Sequence, residues 1–176
     1  MEFTGGYLEP IMDSLYDATE AMLRENAFRD VPIIFATSGA PVPKNTYVVL
    51  DILEISQMGR SDESTYLTAE EKLLEFNTHY KIDLRIAVRG DSAPNIASSL
   101  HHNINNRRCF EELMKRNLGV LNKSSLRRAP QLRETRWVEG YNFDLTLTFS
   151  VFTRQSYDWV EYISINGEVF KVPYKE

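Results

Sequence analysis

The run Tyr141–Val151, YNFDLTLTFSV, restricts the fold more than any other stretch of the chain. Tyr141, Phe143, Leu145, Leu147, Phe149 and Val151 alternate with Asn142, Asp144, Thr146, Thr148 and Ser150. Successive side chains of a strand point to opposite faces, so this pattern is a strand with one face in a core and the other polar. A second run has the same period: Tyr80, Ile82, Leu84, Ile86 and Val88 alternate with Lys81, Asp83, Arg85, Ala87 and Arg89 within Leu73–Gly90. Two long half-buried strands demand a sheet, and a sheet with one apolar face demands a second layer to cover it.

Further strands are predicted around these two. Ile33–Ala36 is short and apolar, bounded by Pro32 and Gly39. In Tyr47–Ser56, strict alternation puts Val48, Leu50, Ile52 and Glu54 on one face. Tyr47, Val49, Leu53 and Ile55 then fall on the other, so the strand is apolar on both sides and interior to the sheet. GVLNKSS, from Gly119, is a candidate short strand, and the basic LRRAPQLRETR that follows is expected to be a loop. Val160–Ile165 and Glu168–Val172 flank Asn166-Gly167, the strongest short hairpin signal.

The covering layer comes from helices. Ile11, Leu15, Ala18 and Met22 recur at helical steps through Asp13–Ala27, with Pro10 where a first turn tolerates it. Asp91 or Ser92 can cap a second helix with Pro94 in its first turn and Ile96, Ala97, Leu100 and Ile104 as its stripe. NNRR at 105–108 interrupts it, and Phe110, Leu113 and Met114 resume the pattern until Gly119, a helix stop. The two pieces are one kinked helix or two packed ones. The expected fold class is α+β: a largely antiparallel β-sheet with helices packed on one face. The 176 residues suit a single domain, 1–176, with 1–9 a flexible N-terminal arm and 57–72 a long polar surface loop.

Composition narrows the function classes. Cys109 is the one cysteine, so no disulfide forms within the chain, which suits a reducing compartment. MEFTGGYLEP lacks the apolar segment of a secretory signal, and no window reaches the apolar length of a membrane span. The net charge of −5 is unevenly laid out. Met1–Asn77 holds 14 acids and 5 bases, Thr78–Arg136 holds 5 and 12, and Trp137–Glu176 holds 6 and 3. Charge segregated in this way suits oriented association between copies or with partners.

No catalytic constellation is found, and no cofactor or metal is expected. His101 and His102 are adjacent, so on a helix their rings point about 100° apart rather than at one ion. Cys109 lies beside a helical apolar stripe, and Ser98, Ser99, Ser124 and Ser125 lie in no nucleophile-elbow pattern. Adjacent acids such as Glu111-Glu112 cannot face one bond together. The basic segment 107–136 could neutralise phosphates, which keeps open a small α+β nucleic-acid-binding module, although the aromatic residues that stack bases are sparse there. An enzyme with a site that follows no motif is a third class.

Three blocks, in order, resemble the phage neck and tail-terminator-like proteins. VPIIFATSGAPVPKNTYVVLDI is similar to their strand, proline loop and second strand. THYKIDLRIAVRGDSAPNIASSLHHNI is similar to their long strand running into a helix. LGVLNKSSLRRAPQLRETRWVEGYNFDLTLTFS is similar to their arginine-bearing loop and the strand after it. The resemblance spans Met12–Val172, with the charged loop Met58–Lys72 longer here. It implies a non-enzymatic virion protein made in the host cytoplasm. It also implies a homo-oligomeric ring, commonly a hexamer, that closes the tail tube or sits between tail and head connector. The implied partners are tail-tube, sheath or head-completion proteins, with non-specific contact to genomic DNA in the lumen. No membrane is involved.

On that view the interface candidates are Pro41, Pro43, Lys44, Lys123, Arg127, Arg128, Arg133, Arg136 and Trp137. A stiff proline loop loses little entropy on docking, and arginine and tryptophan are favoured at interfaces.

Overall fold

A computed structural model describes residues 8–25, 28–39, 41–67, 72–156, 162–165 and 168–171. They fall into two compact units, one within Met1–Gly59 and His79–Ser150, the other within Arg60–Thr78 and Val151–Glu176. The expected flexible arm at Met1–Glu9 lies almost wholly outside the described residues.

The first unit begins with helix α1, Leu8–Glu25, whose buried stripe is Ile11, Leu15, Ala18, Met22 and Leu23. Thr19 is also buried, and it donates to the Leu15 carbonyl one turn back, which satisfies its hydroxyl. Strand β1, Ile33–Phe35, pairs in parallel with β2, Tyr47–Gln57. Parallel neighbours cannot be joined by a tight turn. Residues 36–46 must carry the chain back along β1 so that Val48 sets down opposite Ile33. The proline loop therefore has a topological task as well as any task at the surface.

Strand β2 pairs antiparallel with β4, Lys72–Arg89, through a bulge between Ile52 and Glu54. The bulge corrects the strict alternation expected for β2. Ile52 opposes Leu84 and Ile55 opposes Ile82, so Ile55 shares a face with Val48, Leu50 and Ile52. Glu54 opposes Asp83 on the polar face, and Leu53 is the extra residue, exposed to solvent.

Helix α2, Ala93–Asn103, starts after Ser92, whose side chain makes no capping bond. Thr46 Oγ1 accepts from the Ser92 amide instead. Helix α3, Arg107–Lys115, is separate from α2 because Asn106 is extended and caps it, accepting from the Arg108 amide. The stop is Asn117, with φ 55, and not Gly119, which opens strand β5, Gly119–Lys123. The amide of Leu118 closes back on the Leu113 carbonyl, and its side chain is buried.

The segment expected to be a basic loop is three short strands: β6, Arg127–Arg128, β7, Gln131–Arg133, and β8, Arg136–Val138. β7 and β8 form a hairpin whose turn holds Glu134 at φ 55. No glycine marks that turn, so the sequence gives no hairpin signal there. Strand β9, Gly140–Ser156, pairs antiparallel with β5 and β6. The strand order is β1-β2-β4-β9-β5, with β6 also on β9. The side-chain pairs Arg85–Asp144, Asp83–Thr146 and His79–Ser150 run in opposite directions along β4 and β9, so these strands too are antiparallel.

One face of this sheet is the core. Val48, Leu50, Ile82, Leu84, Ile86, Val88, Phe143, Leu145 and Leu147 are each at most 2% exposed, beneath the stripes of the three helices. The other face is a polar ladder of half-buried Lys81, Asp83, Arg85, Asp144, Thr146 and Thr148. The fold is α+β, as the two alternating runs require.

In the second unit, strand β3, Asp62–Leu67, pairs antiparallel with residues 72–77 of β4. This corrects the surface loop expected over 57–72. Pairing along its whole length with a long neighbour lets a strand form without a strongly β-forming sequence. β10, Tyr162–Ile165, and β11, Glu168–Lys171, pair as the expected hairpin. Its turn, Asn166-Gly167, lies outside the described residues.

Candidate assembly surface

Residues 127–140 leave the sheet at β6, make the β7–β8 hairpin and return at the start of β9. The base of this arm is locked. Arg89, at the end of β4, donates through Nη1 to the Ala129 carbonyl. Burial pushes the Arg89 guanidinium below its usual pKa, the sign of a cation held in the structure rather than in water. The Ala129 amide donates to Gly140 O at 2.7 Å, and the Gly90 amide donates to Glu139 O at 3.0 Å.

Two glycines are needed at this crossing. Gly90 has φ 112, and a Cβ there would lie 2.6 Å from Thr46 Cα. A Cβ on Gly140 would lie 2.6 Å from Ala129 O and overlap the Arg89 guanidinium.

A bidentate pair closes the base: Arg128 Nε and Nη2 donate to Glu139 Oε1 and Oε2 at 2.7 and 2.9 Å. The hydrogen bond from Arg128 holds the Glu139 carboxyl below the usual glutamate range, and Glu139 raises the Arg128 pKa in return. Arg127 Nη2 reaches to 4.0 Å from Asp144, which also accepts from Arg85.

The tip is the opposite of the base. Every residue of β7 is exposed, as are Arg136 and Trp137 of β8. Trp137 is 71% exposed and Leu132, its cross-strand partner, 54%. Directly opposed residues of a hairpin lie on one face, so the two make a single apolar knob. Arg133 and Arg136 are the next pair toward the turn. Arg133 Nη1 donates to Pro43 O at 3.3 Å, while Arg136 has no partner among the described residues.

The nine candidates from the sequence thus divide. Arg127, Arg128, Arg133, Arg136 and Trp137 share the arm, and Arg133 brings the proline loop to it at Pro43. Pro41 and Lys44 are exposed on that loop, and Pro43 is half-buried. Lys123 stands apart: its Nζ donates to His101 O at 2.6 Å and so serves the C-terminal end of α2. Leu132 and the anchors Arg89 and Glu139 were missed. Leu132 could have been found as an apolar residue isolated among arginines, whereas the anchors join only through the fold.

His101 and Cys109 are engaged away from the arm. His101 Nε2 lies 2.9 Å from Ser124 O, and the ring meets Phe143 edge-on at 5.2 Å. A carbonyl acceptor requires the proton on Nε2. Burial pushes the Cys109 thiol up, away from the thiolate a nucleophile needs. Among the described residues no three His, Cys, Asp or Glu side chains group as metal ligands, and no helix is long and apolar enough to cross a membrane.

A family model described as phage neck terminator protein matches residues 11–172. The chain belongs to the phage neck terminator protein family. That assigns a structural role at the phage neck. The match covers the whole of Met12–Val172, over which the three sequence blocks resemble the same family. No curated protein matches the chain.

Proposed function

We propose that this neck terminator protein is the subunit of a closed ring, commonly six copies, that ends the tail tube or joins it to the head connector. The observation that carries the proposal is the exposed Leu132–Trp137 knob on an arm tied down at its base. A large apolar pair held in water is unfavourable for a lone subunit and favours an interface, where tryptophan and arginine concentrate binding energy. The axial partners are then tail-tube, sheath or head-completion proteins, and assembly takes place in the host cytoplasm.

The reading as a nucleic-acid module is weaker, because the basic segment has largely spent its charge within the chain. Arg107 pairs with Glu111, Arg108 with Glu25, Lys115 and Arg116 with Glu112, and Arg128 with Glu139. Phosphate binding draws on the release of counterions condensed on the nucleic acid, which needs protein cations free to replace them.

Light scattering and electron microscopy of the purified protein test the ring. Concentration-dependent annular particles are expected. Replacing Pro41 and Pro43 by glycine should leave the circular-dichroism spectrum unchanged and weaken assembly. Unimpaired assembly would remove the loop from the interface.

A further inference from the structure

We infer that the Leu132–Trp137 arm of one copy docks on the acidic outer face of helix α1 of a second copy. The inference rests on the ring reading and names the two surfaces that would join. The outer face of α1 carries Asp13, Tyr16, Asp17 and Glu20, at steps of three and four residues that line them up on one side. Asp13 and Asp17 are exposed, and Tyr16 is 38% exposed between them. The face is therefore an acidic stripe with an aromatic ring at its middle.

The arm is its complement. Leu132 and Trp137 lie on one face of the hairpin and the next pair toward the turn, Arg133 and Arg136, on the other, so a stripe that meets the tip end-on touches both pairs. Asp13 and Arg136 have no ion-pair partner among the described residues, so each brings an uncommitted charge. Glu20 is held by Arg24 at 2.7 Å, and Asp17 only loosely by Arg116 at 3.8 Å. Tyr16 offers a ring face to either arginine or to Trp137. Within one chain the arm is engaged elsewhere, since Arg133 reaches Pro43.

The arm and the stripe are different surfaces of the same chain. Docking one on the other leaves a free stripe on the first copy and a free arm on the second. A contact of that kind repeats in one direction and closes into a ring if the rotation allows.

Sedimentation velocity over a concentration series, with circular dichroism as the folding control, tests the pairing. L132A/W137A should keep the wild-type spectrum and assemble roughly thirtyfold or more weakly, as the loss of an interface hot spot does. R136E and D13R should each weaken assembly, and the double variant should recover much of it. Rings as stable as wild type in L132A/W137A would overturn the role of the arm and leave the ring reading standing. A double variant no better than its parents would overturn α1 as the acceptor. Unchanged rings together with lost salt-sensitive binding to duplex DNA would assign the arm to nucleic acid and overturn the proposal. A wild-type chain that forms no multimer in solution or on isolated necks would remove the ring reading itself, so the two failures are distinct.

Discussion

Strand β9 and the β7–β8 hairpin are neighbours in the chain and both present large apolar side chains, with opposite results. β9 buries Phe143, Leu145 and Leu147 almost completely beneath the helices, while the hairpin leaves Leu132 and Trp137 in water. The hairpin is no loose end, because Arg89, Gly90, Arg128 and Glu139 fix the point where it leaves the sheet. The difference separates two uses of apolar surface. In β9 it stabilises the subunit, and in the arm it stays in water and contributes almost nothing to the subunit's own stability.

Substitutions break the comparison on either side. The largest effect is expected in β9: Phe143→Ala should cost about 3–5 kcal/mol in denaturant unfolding, because it empties a fully buried site under α2. A loss below about 1 kcal/mol would mean that the face is not the core.

The junction comes next. Gly140→Ala forces a methyl against Ala129 O and the Arg89 guanidinium and should cost about 1–3 kcal/mol. Hydrogen exchange should then rise across residues 127–140 and stay slow along the middle of β4. Equal loosening of both would show that the arm is not a separately anchored part.

Acid should act more gently, at the same junction. The Glu139 pKa is depressed in the folded chain, so its contribution is present above the ordinary glutamate value. It is lost as the pH falls below the ordinary glutamate range and through that lower folded value. Trp137 fluorescence should report a change in the arm in that window before global unfolding, and Glu139→Gln should abolish that step. Arg128 stays charged throughout, so a transition near neutrality would point to another group.

The smallest effect should be that of Trp137→Ala on the lone subunit. Unfolding free energy should shift by no more than about 0.5 kcal/mol. A large loss would mean that Trp137 supports the fold and is not held for a partner.

The sequence discloses what a period can disclose. The alternation at 141–151 and at 80–88 identifies the two central strands and their core face, and the spacing of Ile11, Leu15, Ala18 and Met22 identifies α1. Where the backbone decides, it is silent. The bulge at Leu53 changes which face Ile55 takes, yet a strand apolar on both sides conceals the change. Asp62–Leu67 is charged and polar and becomes a strand only because β4 pairs it. The β7–β8 turn uses Glu134 at positive φ, where the expected marker is glycine or asparagine. The candidate surface was half legible. Arginines and Trp137 stand out by type, but Arg89 meets Ala129 across 40 positions, and only the fold shows which bases anchor and which remain free.

The most direct test of the account is an electron cryomicroscopy reconstruction of the assembled neck. The account predicts a closed ring of this chain with Trp137 buried between neighbouring copies, against the acidic side of α1. A neck from which the chain is missing, or a ring in which Trp137 still faces solvent, would contradict it.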